Sequence, residues 1–552
     1  MKTSHRFLML AALGLGLSAC GGGGGSSTPA PAPPAPPPPP PAVVFPPAPA
    51  AWRVSGTAGF ASNCDGVPAT GTVYPEAEVE PHVAVSQQNA LRLIGGWQQN
   101  RWSDGAAQGL LAAYSADGGA TWQTSRPAFT RCTGGSAGNG GDYERASDPW
   151  IAISPNGTAY FMALAVNGAS FAPGSANAML VARSTDGGQS WGAPTTLIRD
   201  GASAFNDKNA MTADPLDARY VYAVWDRISG SRGPTLFTRT VDGGASWEAA
   251  RVIYDPSIAA PTTNAQTIGN VIAVVPAGPQ AGTLVNLFTE IVGNTPSLRV
   301  QRSTDRGVNW SAPITVAALQ SIGAKDPTTN AAIRDGSALA QIAAAPNGDL
   351  YVVWQDARFA SGQVDAIAFA RSADGGLTWS APRRLSPAQT AAAFTPQVAV
   401  RADGVIAVSY YDLRDDTSDT ATLPASLWLA VSRDQGAAWS EQRLSGPFDL
   451  LAAPNARGLF LGDYQGLVAS GTAFVPFYVQ TTGVGAANRT DVFAGRVVPT
   501  TMAAASASMT RASVGASSSS TVDFSAAVRA NVVRQRAWRM QDRNPASQSQ
   551  AR

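Results

Sequence analysis

The sequence predicts an all-β protein assembled from repeated four-stranded antiparallel meanders, and three observations predict it. An eight-residue pattern (Ser or Thr, any residue, Asp, any residue, Gly, two of any kind, Trp) recurs six times: SADGGATW from Ser115, STDGGQSW from Ser184, TVDGGASW from Thr240, STDRGVNW from Ser303, SADGGLTW from Ser372 and SRDQGAAW from Ser432. The six aspartates, Asp117, Asp186, Asp242, Asp305, Asp374 and Asp434, lie 56 to 69 residues apart, and a near-constant period is the mark of a repeat architecture. The surroundings repeat too. Between Gln341 and Arg358 two apolar alternating runs flank a Pro-Asn-Gly-Asp turn, and the run from Ala366 to Gly376 leads into an Asp-Gly-Gly hairpin, which reads as four strands per unit.

The motif has a mechanical reading. An Asp carboxylate accepts hydrogen bonds from backbone N–H groups of its own turn, the hydroxyl adds another, and glycine takes the positive φ that the turn requires. The Trp on the following strand is large enough to wedge between neighbouring sheets. Six equivalent aspartates about 63 residues apart read as staples rather than as catalytic acids.

These motifs resemble Asp-box (bacterial neuraminidase) repeats, and residues 51–500 resemble the secreted sialidase-like β-propellers that carry them. The resemblance implies a β-propeller with the boxes on the hairpins between third and fourth strands, opposite the active-site face. At about 63 residues a unit, residues 51–500 hold about seven units. Six end in a box; the seventh, Phe460 to Val498, shows three strands, and the segment from Trp52 to Phe60 is expected to supply its fourth. Seven blades are favoured, with six, the number in sialidase catalytic domains, as the alternative.

Composition agrees with a large exported β domain: 44% hydrophobic, 14% charged, 55 glycines and a net charge of +1, the last excluding an electrostatic case for a nucleic-acid partner. Met1 to Arg6 is a basic leader, Phe7 to Leu17 an apolar run too short to span a bilayer, and Leu17-Ser18-Ala19-Cys20 resembles a lipobox. That resemblance makes residues 1–19 a lipoprotein signal peptide and Cys20 the lipidated anchor to the cell envelope. Residues 20–50 form a Gly- and Pro-rich linker, with 13 prolines between Pro29 and Pro49, the composition of a semi-rigid spacer. Residues 501–552 are an Ala- and Ser-rich basic tail; Phe524 to Met540 can be drawn as an amphipathic helix, but a solvated tail is the favoured reading. Cys64 and Cys132, the remaining cysteines of an exported chain, are expected to pair. No metal-ligand spacing and no cofactor motif is present; the acidic run Asp412 to Asp419 lacks a recognised Ca²⁺-loop spacing and reads as a solvated loop.

Charged residues gather on the face opposite the motifs, in the segments leading into the innermost strands and in the loops between second and third strands. Glu78, Glu80, His82, Asp207, Lys208, Asp335 and Asp463 are among them. The sialidase resemblance implies three arginines on a sugar carboxylate, for which fork-like guanidinium donors are suited, a Tyr nucleophile served by a Glu, and an Asp acid. Arg145, Arg334 and Arg457 are the candidates for the clamp, Tyr464 with Glu290 for the nucleophile pair, and Asp148 for the acid. The Arg-Ile-Pro signature of the first sialidase arginine is absent, and Glu78 and Glu80 stand where it would be. The expectation is therefore an envelope-anchored, monomeric propeller acting on a glycan or glycoprotein, as an exo-sialidase or alternatively as a non-catalytic glycan- or protein-binding propeller or scaffold.

Overall fold

The computed structural model describes residues 43–47, 51–261, 264–483, 489–501 and 523–540. The leader, Cys20 and most of the proline-rich linker lie outside them. The regular secondary structure of the described residues is mostly strand, and it includes seven antiparallel groups of four.

Sheet 1 comprises Glu78–Val85, Leu93–Arg101, Ala107–Ser115 and Gln123–Ser125, and sheet 2 Arg145–Ile153, Ala159–Asn167, Ala176–Ser184 and Thr195–Asp200. One pairing, Ala107 with Ala146, links the two. Sheets 3, 4, 5 and 6 begin with Phe205–Ala213, Ala265–Val274, Gln341–Ala344 and Ala393–Val400. Sheet 7 is Gly466–Ser470, Ala473–Thr481 and Thr490–Ala494, with Trp52–Arg53 paired to its third strand. The N-terminal segment thus supplies the strand that the three-strand count of the last unit lacked. The first strand of each sheet lies against that of the next, and the first strand of sheet 7 lies against that of sheet 1.

Every motif forms the same turn. The Ser or Thr hydroxyl donates to the Asp carboxylate at 2.7–2.8 Å, and in turn accepts from the N–H of the Gly two residues after that Asp. The same carboxylate accepts the N–H four residues on. Asp242 is held down to about 2, chiefly by the Ser246 hydroxyl and N–H. The motif tryptophans bridge sheets: Trp310 packs on Phe237 of sheet 3, Trp439 on Phe369 of sheet 5 and Trp122 on Phe477 of sheet 7, with ring centroids 5.3–5.4 Å apart. The approach is close enough to require glycine. A Cβ on Gly436, whose φ is +88°, would sit 2.3 Å from the Phe369 ring.

Cys64 and Cys132 form a disulfide with Cα atoms 4.8 Å apart. The basic tail departs from the solvated reading: helix α1, Ser525–Met540, docks on the face opposite the motifs. Its Val528, Asn531, Val532 and Gln535 are buried, positions i, i+3, i+4 and i+7 of one helical face.

Candidate functional site

The innermost strands share a kink. In sheets 1, 2, 3, 4 and 6 the register of the first strand slips at Glu80, Asp148, Lys208, Gly269 and Thr395, each with φ between +50° and +69°. Such a φ is uncommon outside glycine, and Pro81, Pro149, Asn209, Asn270 and Pro396 follow. The bulge brings Glu80, Asp148 and Lys208 into one cluster, together with Asp463 and Tyr464 from the segment before sheet 7.

Lys208 is the cluster's central cation. Its Nζ lies 2.7 Å from Asp463 Oδ2, 3.7 Å from Asp207 Oδ1 and 3.8 Å from Asp148 Oδ2. Arg334 reaches the same Asp463 at 3.1 Å and lies over the Phe460 ring, 4.4 Å from its centroid. Burial opposes charge on Asp463, but Arg334 and Lys208 overcome it and hold the carboxyl well below its usual range. At Glu80 the pull of Lys208 and Arg101 is outweighed. Burial, then Asp148 and Asp463, push it up to about 8, so it is neutral at physiological pH and accepts from the Gln98 amide. Burial raises Asp148 as well, against the pull of Lys208. His82 stacks on Trp150 at 4.2 Å and is lowered to about 3 by burial, so its Nδ1 is free to accept the Ile151 N–H.

The structure brings together three of the six residues that the sequence nominated for substrate. Tyr464, Asp148 and Arg334 meet in this cluster, but in roles different from those expected. Tyr464 is buried, and its phenol donates to the Pro149 carbonyl at 3.1 Å. Burial and the surrounding carboxylates raise it well above its usual value, the opposite of what a nucleophile needs. Glu290 belongs to another phenol: it accepts from Tyr254 and pairs with Arg299 at 2.9 Å. A second such triad, Tyr410, Glu441 and Arg414, shows the arrangement to be a structural tie. Arg145 is fully buried, paired with Asp104 at 2.7 Å and stacked over Trp102 at 3.9 Å. A guanidinium already neutralised in the interior cannot take up a sugar carboxylate without leaving its partner's charge uncompensated. Arg457 is half-buried with φ of +67°, beside the short strand Leu459–Phe460 that pairs with Ile333–Arg334. The acidic run is likewise tied down, Asp412 by Arg414 and Asp415 by Arg443. Among the described residues no group of three or more His, Cys, Asp or Glu side chains is placed to hold a metal ion.

Open space on this face lies to the sides of the cluster, about 510 Å³ of it between Thr328, Thr390 and Arg414. A cavity of about 590 Å³ separates the start of α1 from sheets 4 and 5, lined by Thr295, Gln320 and Arg358 on the sheet side and by Phe524, Val528 and Arg529 on the tail side. Near the cluster itself only about 20 Å³ is free, between Lys208, Tyr464 and Leu339. Leu339 is roofed by Val532 of α1. Sequence reasoning missed this layering; the repeated residue-then-proline at Glu80, Asp148 and Thr395 was the available signal for the bulges.

No protein-family model matches the chain, and no curated protein matches it by sequence. Solved structures do. The leech intramolecular trans-sialidase is similar at 14% identity and a TM-score of 0.40, over 79% of this chain and 71% of its own. The Hadza microbial sialidase Hz136 is similar at 16% and 0.41, over 73% and 76%, and the Penicillium chrysogenum α-L-arabinanase at 13% and 0.40, over 82% and 98%. At these identities and TM-scores no residue's role is taken from them.

Proposed function

We propose that the chain is an envelope-anchored, seven-bladed sialidase-like propeller that binds an acidic glycan on the face opposite its motifs and does not hydrolyse it. The seven four-stranded groups, the contact of sheet 7 with sheet 1 and the seating of Trp122 on Phe477 support a single ring. The lipobox-like Leu17 to Cys20 supports the anchor. Loss of hydrolysis is the reading favoured by Arg145 and Arg334, each held by an aspartate, and by Tyr464, which donates to a carbonyl and lacks Glu290 beside it.

The observation that carries binding is the cavity of about 590 Å³, within the size range of small-ligand sites. It offers the Phe524 ring, the Arg529 guanidinium, the amides of Asn294 and Gln320 and the hydroxyls of Thr295, Ser361 and Ser525, beside the Asp523 carboxylate and an Arg358 held by Asp356. A guanidinium with neutral donors around it suits a sugar acid. A fluorogenic sialoside and calorimetry with 3′-sialyllactose test the reading together. No turnover, with binding weakened by Arg529→Ala, is the expected result. Turnover that disappears in Tyr464→Phe with the fold intact would return the chain to the hydrolases. Absence of both turnover and binding would leave the scaffold.

A further inference from the structure

The walls of the cavity come from two parts of the chain with unequal hold on their positions. Thr295, Gln320 and Arg358 stand on the sheets, and Arg358 is fixed there by both oxygens of Asp356. Phe524, Val528 and Arg529 come with α1. That helix buries Val528, Asn531, Val532 and Gln535. Val528 and Val532 meet apolar neighbours, Val532 against Ile268, Ile291, Ala338 and Leu339. Asn531 donates to Ser321 and Ser337 at 3.0–3.3 Å, and Gln535 to Ser337 at 2.7 Å and Asp335 at 3.3 Å. Arg534 adds a hydrogen bond to the Ile322 carbonyl at 2.8 Å, and Arg536 reaches Asn294 and the Asn264 carbonyl at 3.1–3.2 Å. Most helical stability comes from such tertiary packing, so α1 is helical because it is docked, through one face with two apolar side chains.

The seat is fitted to the helix. A Cβ on Gly362 would lie 2.3 Å from Phe524 Cγ. Residues 502–522 join α1 to the last described strand.

We propose that α1 is a detachable wall of the cavity: it opens and recloses while the sheets stay folded, and an acidic sugar lodged between Gln320 of the sheet side and Arg529 of the tail holds it shut. The occupant touches both walls, so it binds the closed form better than the open one, and by linkage whatever strengthens docking strengthens binding. The sheets present half a site, and the tail completes it. The occupant's identity rests on the glycan-binding reading; the detachable wall does not.

Thiol labelling of the full chain separates the two. Ala338, buried beneath Val532, is replaced by Cys, and Ala163, fully buried in sheet 2, is replaced by Cys in a second variant to report opening of the sheets. Ala338→Cys is expected to label at least about 100-fold faster than Ala163→Cys, because local opening needs less than global unfolding. Val532→Asp should accelerate labelling at 338 about tenfold, and saturating 3′-sialyllactose should slow it about tenfold. Equal rates at the two positions, or protection at 338 that survives Val532→Asp, overturn the detachable wall. Hydrogen exchange of α1 amides against those of sheet 2 makes the same comparison in the unsubstituted chain. Calorimetric binding of 3′-sialyllactose with no change of rate at 338 overturns the lock; no calorimetric binding overturns the glycan reading and the lock with it, while the rate comparison still decides the wall.

Discussion

The two ends of the strands handle aspartate in opposite ways. On the motif side each carboxylate sits at the surface inside its own turn, accepting backbone and hydroxyl protons, and Asp117, Asp186, Asp242 and Asp305 are lowered to about 2. At the bulges the acids are buried, Glu80 and Asp148 are raised, and only Asp463, gripped by two cations, is strongly lowered. The difference is one of partners: local N–H groups come with the turn and need nothing distant, whereas a buried charge is stable only if a cation from another sheet reaches it. The motif face is therefore modular and the bulge face cooperative.

The largest expected effect follows from that cooperativity. Lys208→Met strips Asp463, Asp148 and Asp207 of their shared cation and should cost about 3–5 kcal/mol of stability, read as a fall in the denaturant midpoint. A smaller loss, about 1–3 kcal/mol, is expected for Gly436→Ala, where the methyl meets the Phe369 ring and the backbone is left-handed. On the motif face, Asp242→Ala should cost about 1 kcal/mol, since one of six equivalent turns is lost.

The two faces should also separate by pH. Glu80 is protonated in the fold up to about 8 but ionises near 4.5 when unfolded. Between those values the unfolded chain binds fewer protons, so stability falls as pH rises. Glu80→Gln should remove that part of the slope, seen as a flatter thermal-melting profile between pH 5 and 8. Asp242 has the opposite sign: its contribution is complete above 3.8 and is lost as pH falls toward about 2, so Asp242→Ala should change only the acid limb.

What the sequence made legible follows the same division. The motif turns were readable because every hydrogen bond in them spans four residues or fewer, and the pairing of Trp52–Arg53 was readable because the last unit was one strand short. The centre was not. Lys208 and Asp463 are 255 residues apart, and Gln535 and Asp335 are 200 apart, so nothing local marks them as partners. Arg145, Arg334 and Tyr464 were recognisable as important, yet their residue types suit an ion pair or a carbonyl contact as well as a substrate clamp. The tail helix was misread because two of its four buried positions, Asn531 and Gln535, are polar and weaken the apolar stripe.

The account turns on whether Arg334 serves Asp463 or a ligand, and a double-mutant cycle of Arg334→Met with Asp463→Leu, followed by denaturant unfolding, asks this directly. Asp463→Leu, which strands both Arg334 and Lys208, should destabilise by about 3–5 kcal/mol, Arg334→Met by less because Lys208 still faces Asp463, and the double should lose less than the sum of the two. An Arg334→Met protein as stable as the unsubstituted chain but unable to bind 3′-sialyllactose would contradict the account, since its guanidinium would then have been held for the sugar.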